Sequence, residues 1–362
     1  MVQMKDIKNY SGKQVIKAGD MLIDPNITED KFEEALDILS YWRFSHEKPL
    51  AYALNLLQSI SLKIDKSAIF AKRLKRFISI KNKLLRFETM NLKNMQDIGG
   101  CRAVVANSKK LTQIVRALKS RGEFKNVKGE IRYKDYVKNP KEDGYRSYHL
   151  VGYFKNHIGV KNIEIQIRTR LQHDWATALE IVDLFTNQSL KSNQGRESWK
   201  EFFKNVSEQF ALMESIHLFN LDKANKTEEY LAIVNKNELF KKSFLTVNRL
   251  SNELGVTQIF EGFTNSLRIV SNRLENIEDD GYVLIELDIN LSQVTTTFFH
   301  RNNNQDAENA YLDTEKRCAG KKLIVVALVS ASSVGEIKEA YPNYFADSSD
   351  FIKHLLLITT PV

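Results

Sequence analysis

The sequence predicts an α+β protein: a mixed β-sheet flanked by helices within residues 1–222, a helical linker over 223–270, and a small C-terminal α+β unit over 271–362. Three observations carry this. In the run 148–154, Tyr148, Leu150, Gly152 and Phe154 fall on one face and His149, Val151 and Tyr153 on the other, the period of a strand. Ile163, Ile165 and Ile167 alternate with Glu164, Gln166 and Arg168, so a second strand sets an acid, an amide and a guanidinium in a row. After residue 280 a new strand-rich pattern begins. A sheet with one solvated face alternates in the same way, so periodicity alone leaves that polar row open between solvent and a ligand.

A chain of 362 residues has room for about two domains, each with its own core. Cys101 and Cys318 supply neither a disulfide framework nor the four ligands of a zinc site, which fits a reduced, cytoplasmic setting. No apolar run approaches the roughly 20 residues of a membrane span. The N-terminus lacks the apolar centre of a signal peptide, so a soluble protein with no membrane partner is expected. The net charge of +8 is uneven: residues 1–222 carry 38 Lys/Arg against 26 Asp/Glu, and residues 223–362 carry 15 against 19. A basic first part suits a polyanionic partner such as nucleic acid. ATP and a solvated lysine-rich face would account for the same excess.

Thr28-Glu-Asp ahead of residues 31–42 is a helix start, with Phe32, Ala35, Leu36, Leu39 and Trp42 at helical spacing. Residues 62–90 hold nine basic side chains against Asp65 and Glu88. Arg73, Arg76, Ile80, Lys83 and Phe87 fall about one turn apart, predicting a helix with cations along one side; on composition alone that is a solvated basic face. Asp97 heads a short strand, 98–105, in which Gly99 and Gly100 mark a close approach of backbone or ligand. Ser108–Lys119 is an amphipathic helix with Leu111, Ile114, Val115 and Leu118 inward, and residues 107–141 carry eleven basic side chains against three acidic ones. A helix starts near Arg170, and further helices cover about 197–219 and 227–250. Strands at 282–289 and 294–300, a helix at 306–317, a strand at 322–330 and a helix from Val334 make up the C-terminal unit.

Four stretches in order resemble the synthetase domain of the RelA/SpoT nucleotide pyrophosphokinases. They are Arg73-x-Lys75-x-x-x-Ser79-Ile80-x-x-Lys83-Leu84, Asp97-Ile-Gly-Gly-Cys-Arg102, KDYVKNPKEDGYRSYH over 134–149, and EIQIRT over 164–169. The resemblance implies an ATP-dependent pyrophosphotransferase with magnesium as cofactor, a synthetase without a hydrolase domain. It implies that Arg73 and Arg102 stack on adenine, work suited to a planar guanidinium. Lys75, Ser79 and Lys83 hold the phosphates, Asp97 and Glu164 bind the metal, and Tyr145 stacks on the acceptor base. Glu164 is the candidate general base, Gln166 and His149 orient the acceptor, and Arg168 orients it or braces the sheet. His173 and Asp174, on the following helix, are read as structural.

Two acceptors remain open, GDP or GTP with an alarmone product, and the 3′-terminal adenosine of tRNA, the target in the toxic branch of the small alarmone synthetases. Glu142 and Asp143 before Gly144 and the basic first part lean toward tRNA. The C-terminal unit resembles the zinc-finger-like antitoxin domain of the fused CapRel group, without zinc ligands. Tyr341-Pro-Asn-Tyr344 matches the motif by which that group's tail covers the ATP site. A cation–π exchange of tyrosine for adenine between Arg73 and Arg102 would make the tail autoinhibitory in cis. The implied trigger is a phage protein, the capsid protein by resemblance, captured on exposed apolar residues such as Phe345, Phe351 and Leu355 to Leu357. A non-catalytic RNA-binding immunity protein is the alternative from another class.

Overall fold

The computed structural model describes residues 9–75, 77–156, 159–186, 190, 195–218, 224–263, 265, 281–288, 291, 293–318, 324–330 and 344–359. The chain opens with helices α1 (Gly12–Met21), α2 (Glu29–Phe44) and α3 (Glu47–Ile64). Ser11 starts α1 with a capping box, its hydroxyl accepting from the Gln14 N–H while the Gln14 carboxamide accepts from the Ser11 N–H. Thr28 is the cap of α2, where Glu29 and Asp30 meet the positive end of the helix, although the threonine side chain makes no cap bond. Val15, Leu22, Ile38 and Leu39 close this layer over Ile80 and Ile98 in one apolar core.

Next come β1 (Ile69–Leu74), α4 (Phe77–Arg86), β2 (Gly99–Val105), α5 (Ser108–Lys119), β3 (Tyr133–Asp135), β4 (Tyr148–Asn156) and β5 (Gly159–Thr169). They build a five-stranded sheet in the order β1-β2-β5-β4-β3. The alternation predicted for the two central strands is present: Ile163, Ile165, Ile167 and Leu150 are fully buried, and the intervening Glu164 and Gln166 are not. Helix α3 packs on β1, β2 and β4, and a Cβ placed on Gly99 would meet Ile163 Cδ1 at 2.8 Å, which explains the glycine there.

The stretch expected as one helix over 73–87 is instead a strand followed by a helix. Ile69, Phe70 and Ala71 pair with β2, the Lys75 N–H donates to Ile98 O at 2.7 Å, and α4 begins only at Phe77. Ile80 is buried and Phe87 lies beyond the helix end, so the predicted line of cations down one helical side does not form.

Asp65, at the end of α3, is a buried joint of this unit. Its carboxylate accepts from Ala106 N at 2.7 Å, from Ser67 N and Oγ at 3.0 and 2.7 Å, and from Lys110 Nζ at 2.9 Å. Burial alone would raise its pKa; these donors override it and lower the group from the ordinary 3.8 to about 2. The native state therefore gains stability that is fully present above pH 3.8 and is lost as pH falls through 2. Asp65→Asn is expected to remove roughly 2 kcal/mol at neutral pH by denaturant unfolding, with the difference from wild type shrinking below about pH 4. A difference independent of pH would show that the charge is not the cause.

The chain divides into two compact units, Met1–Asp135 with Ser147–Arg168, and Tyr136–Arg146 with Thr169–Val362. The second contains α6 (Arg170–Thr186), α7 (Glu197–Ser215), α8 (Ala224–Lys236), α9 (Glu238–Leu254) and a helical stretch α10 at 256–263. The single helix expected over 227–250 is broken at Asn237, whose side chain accepts from the Leu239 and Phe240 N–H groups and so starts α9. Gly255, at φ +61°, ends it.

Strands β6 (Gly281–Asp288) and β7 (Gln293–His300), helix α11 (Asn304–Cys318) and strand β8 (Ile324–Ser330) follow, with a three-stranded antiparallel sheet in the order β7-β6-β8. The last helix is α12 (Tyr344–Thr359). The first ten residues of the helix predicted from Val334 lie outside the described residues. One apolar core runs from Leu171 and Trp175 through Phe203 and Phe210 to Ile285 and Phe351. The exposed recognition surface expected on α12 is not there. Phe351 and Leu355 are fully buried and Leu357 nearly so, because α12 packs on α6, α7 and α9; only Leu356 of that run reaches solvent. Phe345 lies outside the described side chains. Both cysteines are buried thiols outside any disulfide, and among the described residues no group of three or more His, Cys, Asp or Glu is gathered to hold a metal. No described helix is long and apolar enough to cross a membrane.

Candidate active site

In the first unit, three of the sequence-predicted residues converge where β1 gives way to α4. Lys75 Nζ lies 2.9 Å from Asp97 Oδ2, and Lys83 Nζ lies 2.9 Å from Asp97 Oδ1, so one carboxylate is held between two ammonium groups. Lys75 follows the end of β1, Asp97 stands just ahead of β2, and Lys83 comes from α4, whose Ile80 and Leu84 are buried in the core. Burial would raise the Asp97 pKa, but Lys75 and Lys83 hold it below the usual carboxylate range, with Glu164 opposing them. Burial pushes Lys75 down, and Asp97 partly restores it. Ser79, on the same helix, is exposed.

The second cluster lies on β4 and β5. His149 stands opposite Gln166 and Val151 opposite Glu164, so His149, Gln166 and Glu164 share one face. His149 Nδ1 is 3.1 Å from Glu164 Oε1, Gln166 Nε2 donates to Glu164 Oε2 at 2.7 Å, and Arg168 Nη2 donates to Gln166 Oε1 at 3.3 Å. Burial would raise the Glu164 pKa; the hydrogen bond and charge of His149, the Gln166 amide and the charge of Lys83 override it and bring it to about 2. Gln166 and His149, expected to orient an acceptor, thus both serve Glu164. Lys134, on β3 opposite His149, joins the same face; a three-residue strand has too little period to be read in advance.

Arg73 and Arg102 also share a face, because Arg73 pairs with Gly100 and Ala71 with Arg102, which makes the two guanidinium-bearing positions diagonal neighbours. Arg73 is exposed and Arg102 is buried. Two carboxylates within electrostatic reach of each other, each now neutralised by protein donors, match the one or two acids that magnesium takes alongside phosphate and water. Asp97 and Glu164 are therefore the residues that would hold it.

Tyr145 and Arg146 lie ahead of β4 and not on it. β4 begins at Tyr148, and both residues belong to a loop in the second unit. The Tyr145 ring meets Tyr136 edge-on at 5.9 Å between centroids, with Lys141 Nζ 4.8 Å from its centre. His173 and Asp174 are buried on α6, and Asp174 Oδ2 is 3.9 Å from His354 Nδ1. Tyr341 lies outside the described residues, as does the side chain of Tyr344, which begins α12.

Residues 72–181 match the family model described as a region found in RelA / SpoT proteins. Over 114 residues the chain is 35% identical to GTP pyrophosphokinase YwaC of Bacillus subtilis (strain 168), covering 29% of this chain and 52% of that protein. Over 90 residues it is 37% identical to GTP pyrophosphokinase YjbM of the same organism, covering 24% and 41%. The chain thus spans about half the length of the curated relatives it matches. Among solved structures it is similar to small alarmone synthetase 2 from Bacillus subtilis, with TM-score 0.40 and 24% identity over 52% of this chain and 97% of that one. Small alarmone synthetase 1 from Bacillus subtilis, bound to its product pppGpp, gives TM-score 0.40 and 25% identity over 49% and 94%.

Proposed function

We propose that the chain is an ATP-dependent pyrophosphokinase, transferring the β,γ-pyrophosphate of ATP to a ribose 3′-hydroxyl and releasing AMP. The observation that carries this is the pair of engaged carboxylates, Asp97 between Lys75 and Lys83, and Glu164 between His149 and Gln166, within the segment that matches the RelA/SpoT region. In the reaction the 3′-oxygen bonds to the β-phosphorus, the bridge from that phosphorus to the α-phosphate oxygen breaks, and AMP leaves with the bridging oxygen. Lys75, Lys83 and Ser79 would bind the phosphates, the two ammonium groups meeting the developing charge. Arg73 and Arg102 would hold the adenine, and Glu164 would accept the hydroxyl proton. Magnesium, when bound by Asp97 and Glu164, supplies further positive charge to the phosphate oxygens.

The acceptor we propose is the 3′-terminal adenosine of tRNA, met in the cytoplasm, with Tyr145 stacking on the base. The excess of 38 basic over 26 acidic side chains in residues 1–222 supports a polyanion of that size. A second reading, GDP or GTP as acceptor, is favoured by the names of both curated relatives. We further propose that the C-terminal unit acts as a brake in cis through Tyr341 and Tyr344, lifted by a phage protein. With Phe351 and Leu355 buried, the captured surface would have to lie elsewhere than that side of α12.

The test offers ATP labelled at the γ-phosphate to the full chain and to Tyr344→Ala, with bulk tRNA in one tube and GDP plus GTP in another. Label on tRNA, increased by the substitution, is the expected result. Label on guanosine nucleotides with both proteins would make the chain an alarmone synthetase without this brake. No labelled acceptor with either protein would overturn the pyrophosphokinase reading.

A further inference from the structure

Tyr145 sits in a loop that α7 holds through Ser207. The Ser207 hydroxyl, buried on α7, donates to Gly144 O at 2.5 Å and accepts from Arg146 Nε at 3.1 Å, so one side chain ties down both neighbours of the tyrosine. The loop itself is closed around it. Gly144 N donates to Lys141 O at 2.9 Å, Lys141 N to Tyr145 O at 3.2 Å, Tyr145 N to Asp143 Oδ1 at 2.8 Å, and Arg146 Nη1 to Val137 O at 2.9 Å.

The fit against α7 leaves no slack. Gly144 adopts φ +91°, and a Cβ there would stand 3.0 Å from Lys204 Cα and from Ser207 Cβ, so only glycine lets the loop come this close. α7 is a firm base for the loop. Trp175 Nε1 on α6 donates to Phe203 O at 2.8 Å, Gln172 Nε2 donates to Glu214 Oε2 at 3.1 Å, and Gln209 Nε2 reaches Phe240 O on α9 at 2.9 Å. Those buried polar ties flank Ser207 on both sides along the helix. Arg146 also lines a small cavity together with Gln172, Ser207, Phe210 and Glu214.

We infer that Ser207, acting with Arg146 and Gly144, is a positioning residue for acceptor binding: it fixes the loop so that the Tyr145 ring is presented in one orientation. This rests on the reading of Tyr145 as the acceptor-stacking residue. A preset ring binds a planar base without first ordering the loop, which lowers the entropic cost of capture. ATP-binding residues belong to other elements and take no part in the joint.

The test uses the full-length chain carrying Ser207→Ala, with three readouts: hydrogen exchange of the 136–146 segment, equilibrium affinity for the acceptor (bulk tRNA in one arm, GDP in the other), and affinity for ATP. The expected result is exchange in the loop about tenfold faster and acceptor affinity about tenfold weaker, with ATP affinity and exchange in α6 and α9 unchanged. Gly144→Ala, which breaks the same joint from the loop side, should give the same split. Loop exchange that stays at the wild-type rate overturns the inference, as does a faster loop with unaltered acceptor affinity. A parallel loss of ATP affinity, or general loss of protection in α6 and α9, shows a role in folding only and overturns it too. If the wild-type chain binds neither acceptor, the fault lies with the reading of Tyr145, and the positioning role falls with it.

Discussion

Glu164→Gln is expected to lower the rate of pyrophosphate transfer at saturating ATP and acceptor by about 10³-fold, while ATP affinity without magnesium stays within about threefold of wild type. The substitution keeps shape and one acceptor oxygen but removes the charge that gathers His149 and Gln166. With its donors in place Glu164 is lowered to about 2 and is an anion from pH 5 to 8, so in kcat/KM, which reports the free enzyme, this group should give no acid limb above about pH 4. That charge state is what a metal ligand needs, and it makes the group a weak base as long as its donors stay in place. Only if substrate binding draws His149 and Gln166 away does its basicity return. Because the substitution also removes a proposed metal ligand, the rate of Glu164→Gln should stay low across pH, even where hydroxide could replace a missing base. A loss under tenfold, measured by label transfer, would remove Glu164 from both roles.

What the sequence revealed, and what it hid, divides along one physical line. Features that depend on one element's own period were mostly legible, although the cap at Asn237 that divides α8 from α9 was missed. The isoleucines of β5 announced which face was buried, and Ser108–Lys119 showed its helix through four inward apolar residues; in the fold it is started by the Asn107 side chain. Features that depend on what lies opposite were not. The contact of His149 with Glu164 requires the register of β4 against β5, which a period of two does not set. The basic run from Arg73 has spacings that suit a helix, yet Ile69 to Leu74 gains more by extending the sheet beside β2. Phe351 and Leu355 looked available because their cover, α6, α7 and α9, is far away in the chain. The seat of the Tyr145 loop was equally hidden, because it depends on Gly144, at φ +91°, coming close to α7. Ser207 left one faint signal, a hydroxyl between Val206 and Phe210 on the buried side of α7.

Asp97→Asn should separate the structural and chemical parts of the second carboxylate. The aspartate now satisfies two ammonium groups at 2.9 Å each, in a site that solvent still reaches. These pairs are mostly buried, so the variant should fold but lose on the order of 1–3 kcal/mol of stability. Its magnesium-dependent transfer should fall about 10²-fold or more, because an amide is a far weaker ligand for a hard cation. ATP binding without magnesium should move the other way. Lys75 and Lys83 lose their internal anion, and the triphosphate then meets two cations that no longer have to leave a carboxylate first. Lys75 would also lose the charge that now props up its ammonium form, so this gain should fade at lower pH than in wild type. The measurement is ATP affinity with and without magnesium, beside label transfer. Tighter metal-free binding together with lost transfer is the expected pair. Unchanged transfer would reduce Asp97 to a turn residue that two lysines happen to surround, and the metal would have to be held without it.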